Sequence, residues 1–141
     1  MIKAEDLRIG DLVIVNENCS LEQGTIGKVS EVRSTPLYKE KGSIGLKPIS
    51  NDRWPWGVLC RNIDPIPITP EILEKNGFKM REDTVVYAKN RLGLKPLGDG
   101  KGYQVGLGSL RFLFVKVRII KYVHELQHIL WALGLDANLK I

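Results

Sequence analysis

The chain has 141 residues, 43% hydrophobic and 26% charged, with a formal net charge of +5. That length suits one domain or two small lobes, and the composition excludes wholesale disorder. No apolar run approaches the roughly 18 residues that cross a bilayer, and acids at Glu5 and Asp6 interrupt any signal-peptide core, so a cytoplasmic protein without a membrane partner is expected.

The first half reads as short strands between turns. Leu12-Val13-Ile14-Val15 follows the turn signal Ile9-Gly10-Asp11, and residues 25–32 alternate at period two with an interruption at Gly27. Residues 43–49 and 57–60 supply two more strands. Short β-branched runs punctuated by Gly and Pro, with almost no helical periodicity, imply a small, partly open β-barrel. The phrases RIGDLVIV and GTIGKVSEV are similar to the opening of SH3-like barrels. Trp54-Pro55-Trp56 falls on a loop, where it is expected to plug a barrel end or a lobe interface; exposed, the two indoles would be a binding anchor. Cys19 and Cys60 have no close Cys or His neighbour and are read as free thiols.

The run Ile63-Asp64-Pro65-Ile66-Pro67-Ile68 reads as a proline-rich connector, dividing the chain into a β lobe, residues 1–66, and an α+β lobe, residues 67–141. A helix follows, with Thr69 as its cap, Pro70 at the first helical position, Glu71 in the first turn and Asn76-Gly77 as its stop. Strands resume over residues 84–88, 93–97 and 103–107. Gly98-Asp99-Gly100-Lys101-Gly102 reads as a loose turn; it lacks the Lys-Ser/Thr ending of a phosphate-binding loop.

Residues 112–120 carry the strongest strand pattern. Leu113, Val115, Val117 and Ile119 form an apolar core-facing side, while Phe112, Phe114, Lys116, Arg118 and Ile120 form the other. The aromatic and basic residues of that second side resemble, faintly, an RNA-stacking platform, which makes Lys116 and Arg118 candidate binding residues. Charge points the same way. Residues 1–66 hold nine basic and nine acidic residues; residues 67–141 hold twelve and seven. A basic half can attract nucleic acid.

The last helix is expected over residues 121–133, stopping at Gly134, with Tyr122, Val123, Leu126, Ile129, Leu130 and Leu133 as one apolar stripe and both histidines on the opposite side. It contains His124-Glu125-Leu126-Gln127-His128, a match to the zincin pattern H-E-x-x-H. On a helix, His124 and His128 could ligate one Zn²⁺ beside Glu125 as general base. The third ligand is missing: a metzincin would place Gly at 131 and a ligand at 134, where this chain has Trp131 and Gly134. Asp136 comes two residues late, only thirteen residues follow His128, and nothing singles out Glu82, Asp83 or Cys60 as an upstream ligand. The match therefore reads as a coincidence, with zinc required only if the peptidase alternative holds.

Three landmarks resemble one family: LRIGDLV at Leu7 to Val13, IPITPEILEKNGF at Ile66 to Phe78, and YVHELQHILWALGLD at Tyr122 to Asp136. They are similar to small uncharacterised proteins of Bacteroides-type bacteria and their prophages, which carry an IPLTxExLxxFGF-like central helix and a YVHQLQNLYFAL-like final helix. The resemblance implies that Glu125 and His128 stand where that family usually has Gln and Asn, so zinc ligation is not a family property. It implies association with mobile elements and carries no activity. The expectation is thus an α+β protein, an SH3-like β-barrel followed by strands with two helices. It is a non-enzymatic binding or adaptor protein whose partner is a protein, with nucleic-acid binding and zinc-dependent peptidase activity as the alternatives. No residue pattern fixes the oligomeric state.

Overall fold

The first turn is set by a carboxylate. Asp11 is buried, and its Oδ2 accepts the Arg8 N–H at 2.7 Å; the Gly10 N–H meets the Val29 carbonyl at 2.7 Å with Gly10 at φ +99°. A buried carboxylate with a backbone donor fixes the turn that launches β1 (Leu12–Val15). This is a computed structural model, and it describes residues 2–17, 19–33, 42–50, 54–108 and 115–141. The chain divides into two units, Met1–Ile66 and Pro67–Ile141, each described by itself.

In the first unit β1 is followed by β2 (Ile26–Arg33), β3 (Ser43–Pro48), β4 (Trp56–Leu59) and β5 (Ile63–Pro65). All neighbours are antiparallel, in the order β4-β3-β2-β1-β5. A single 3-10 turn, Cys60–Asn62, joins β4 to β5. The core gathers Val13, Val15, Val29, Ile44, Leu46 and Val58 from alternate positions of four strands, as period-two patterning requires. Two expectations are corrected here. Residues 63–65 are a strand and not a plain connector, because β1 offers an edge that tolerates a proline at the strand end. No strand pair among the described residues closes the sheet into a barrel; it is an open five-stranded sheet.

The second unit begins with α1 (Pro70–Lys75), then β6 (Lys79–Arg81), β7 (Val86–Lys89), β8 (Leu92–Pro96), β9 (Tyr103–Leu107), β10 (Val115–Ile120) and α2 (Val123–Ala132). Its sheet is an antiparallel meander in simple chain order. Thr69 caps α1, its Oγ1 accepting the Ile72 N–H at 3.3 Å, with Pro70 next in line. Both helices stop the same way. The Phe78 N–H reaches the Leu73 carbonyl across Gly77, and the Leu135 N–H reaches the Leu130 carbonyl across Gly134. Gly77 and Gly134 have φ of +81° and +67°, the left-handed residue this cap needs. The remaining backbone is tied down by Asn76. Its amide donates to the Ile72 and Lys140 carbonyls at 2.7 and 2.8 Å, and its oxygen accepts the Lys140 N–H at 2.8 Å.

The apolar side expected for residues 113–119 is corrected in part. Val117 and Ile119 are each 51% exposed. β10 is an end strand with β9 as its one neighbour among the described residues, and a bulge between Lys116 and Arg118 breaks its alternation. Leu113, Phe112 and Phe114 lie outside the described residues, as does the side chain of Val115. Among the described residues no helix is long and apolar enough to cross a membrane.

Candidate functional site

Helix α2 brings the two histidines together, with ring centroids 5.8 Å apart at 76°. The spacing delivers that much. It does not put both rings on the solvent side: His124 is only 6% exposed and lies with Val123, Leu126, Gln127 and Leu130 on the buried face, its ring stacked on Tyr122 at 5.9 Å. The expected arrangement fails for a geometric reason. The buried face centres on Val123, Gln127 and Leu130, and at 100° per residue His124 falls at its margin. Gln127 can sit there because its amide donates to the Ala137 carbonyl at 3.1 Å, which relieves the cost of burying it.

Glu125 is committed elsewhere. Its Oε2 accepts the Lys121 and Tyr122 N–H groups at 2.8 and 3.1 Å, and its Oε1 faces the Arg118 guanidinium at 3.2 Å. These bonds satisfy backbone donors at the start of α2, where the helix dipole also favours a carboxylate. A general base needs a lone pair directed at a reacting water, and here both oxygens serve the fold. Among the described residues no group of three or more His, Cys, Asp or Glu side chains is placed to hold a metal ion. Glu125→Ala is expected to destabilise the protein by about 1–2 kcal/mol by orphaning these donors. The check is a lowered urea midpoint with an unchanged slope; an unmoved midpoint would mean that the carboxylate does not hold the helix start.

The other candidate residues separate. Trp54 is 89% exposed and Trp56 42% exposed, so the expected plug is corrected: neither indole fills an interior. Trp56 pairs with Leu46 in the register of β3 and β4, and Trp54 lies two residues before that strand begins. Lys116 and Arg118 are both exposed on β10, but Arg118 is engaged with Glu125, which weakens the basic pair as a phosphate-reading surface. Cys19 and Cys60 are both free thiols. Burial pushes the Cys60 thiol above its ordinary value, which keeps it unreactive.

Sequence reasoning missed one site altogether. A groove of about 420 Å³ opens in the second unit between the Pro67-Ile68 segment, the turn that follows Pro96, and Lys121-Tyr122, with Tyr103 in its wall. The loose turn expected over residues 98–102 is in fact a tight hairpin turn. Asp99 and Gly100 have φ of +46° and +68°, and the Lys101 N–H closes on the Gly98 carbonyl at 2.9 Å. The Ile68 N–H bonds the Lys121 carbonyl at 2.9 Å, which joins two walls that are far apart in sequence. The Asp-Gly pair was the local signal; the remaining walls had none.

No protein-family model, curated protein or solved structure matches this chain.

Proposed function

We propose that the chain is a non-enzymatic binding or adaptor protein of the mobile-element (prophage) type, with a protein as its partner. The observation that carries this reading is the exposure of Trp54 beside a partly exposed Trp56. Large indoles left in water are costly to solvate and are the side chains that anchor protein interfaces most strongly. The strand order β4-β3-β2-β1-β5 and the 3-10 turn before β5 support an SH3-like reading of the first unit. The use of both Glu125 oxygens at the start of α2 counts against the peptidase alternative.

Replacing Trp54 by the photo-crosslinking residue p-benzoylphenylalanine tests the reading in cells of the source organism. Discrete, protease-sensitive adducts are expected from position 54 and none from the exposed control Glu71. Equal yields at the two positions would overturn the proposal. Adducts removed by nuclease would transfer it to the nucleic-acid alternative, which the surplus of basic residues in 67–141 favours.

A further inference from the structure

The groove in the second unit combines apolar walls with hydrogen-bond donors that the fold leaves unused. Pro67, Ile68 and Pro96 give it flat apolar sides, and Tyr103 and Tyr122 add rings. Its turn runs through consecutive left-handed residues, Gly98, Asp99 and Gly100. The Lys101 and Leu97 N–H groups close the hairpin onto the Gly98 and Gly102 carbonyls, while the amides of Asp99 and Gly100 donate to no described residue. A Cβ built at Gly98 or Gly100 meets nothing within 4 Å, so the groove comes up to bare backbone there.

Tyr103 adds a further donor to the wall of the groove. It is 8% exposed, it lines the groove, and its hydroxyl bonds no described residue. The hydroxyl reaches solvent, where a ligand atom can take the place of water as its partner. Burial, then Tyr87 and Glu71 nearby, push its ionisation up, which keeps the phenol a donor. Lys121 is the one cation of the lining and Asp99 the one anion. A site with a single cation and an opposing carboxylate suits one negative charge better than the two of a phosphate.

We propose that this groove binds a carboxylate carried on an apolar body, either the free C-terminus of a peptide ending in an apolar residue or a small acid of the same shape. The Asp99 and Gly100 amides, the Tyr103 hydroxyl and the Lys121 ammonium hold the carboxylate. The proline and tyrosine walls take the apolar group. This site is independent of Trp54 and stands whether or not the indoles bind a partner.

The test uses the full ¹⁵N-labelled chain and follows the amide signals of Gly98, Asp99, Gly100 and Gly102. The probes are N-acetyl-Ala-Ala-Phe as the free acid, its C-terminal amide, and 3-phenylpropionate. The free acid is expected to shift these signals saturably, with the amide weaker by about tenfold or more. Tyr103→Phe and Lys121→Met should weaken the free acid while the urea midpoint stays in place, and Asp99→Asn should tighten it by removing a repulsion. Binding of 3-phenylpropionate as tight as the peptide assigns the groove to a small acid; weaker binding assigns it to a chain end. Equal affinity for acid and amide, or no shift with either, overturns the proposal.

Discussion

Leu126→Ala is expected to cost about 3 kcal/mol, within the roughly 2–5 kcal/mol found for truncating a buried leucine. Leu126 is fully buried with Val123 and Leu130 on the face of α2 turned to the interior of its unit. The helix has only ten residues, too few to persist alone in water, so its packed face is what maintains it. Removing the isobutyl group forfeits apolar burial and leaves a void between elements that the hairpin turns and the helix caps hold in place. Urea unfolding followed by circular dichroism provides the check. A loss below about 1 kcal/mol would mean that the site collapses around the smaller side chain or that α2 contributes little to the core.

Gly102→Ala should be nearly as damaging, at about 2–4 kcal/mol, for a reason that involves no lost contact. Gly102 has φ of +89°, a region that L side chains avoid, and a Cβ there would collide with the Ile120 carbonyl oxygen and crowd Lys121 Cγ. The collision is with backbone, in the register where Tyr103 pairs with Ile120, so it cannot be relieved by rotating a side chain. Gly98→Ala makes the matched control. It also has positive φ, at +71°, but its Cβ would enter open space, so it should cost only about 1 kcal/mol. Equal losses for the two variants would show that dihedral strain, and not the approach of Ile120, sets the penalty.

The parts of this fold that are local in sequence were legible in the residues, and those that depend on neighbours were not. β1 and β9 fall where alternation puts them, and α1 starts and stops at its own caps, because Thr69, Pro70 and Gly77 act on their nearest backbone. β5 and β6 have three residues each and too little pattern to register; pairing with β1 and β7 makes them strands. The alternation of Val117 and Ile119 was visible but not their exposure, since period two does not say whether a strand ends a sheet. On α2 the proximity of His124 to His128 followed from spacing. The burial of His124 followed from tertiary contacts that one sequence does not display, whereas the commitment of Glu125 to the Lys121 and Tyr122 amides is local and went unread because Tyr122 is not a usual capping residue.

The bonds of Asn76 to Lys140 carry a chemical consequence. Asn76 precedes Gly77, and Asn-Gly is the dipeptide most prone to deamidate, because the glycine nitrogen can attack the side-chain amide without steric hindrance. Here the attacking nitrogen already donates to the Glu74 carbonyl at 3.0 Å, and the amide is fixed by its bonds to Ile72 and Lys140. The docked tail, through Lys140, therefore holds the Asn76 amide away from the geometry that deamidation needs. Once the tail opens and the amide hydrolyses, the new carboxylate faces two carbonyl oxygens where it once donated, and reclosure is opposed. Deamidation would thus make an otherwise reversible opening harder to reverse.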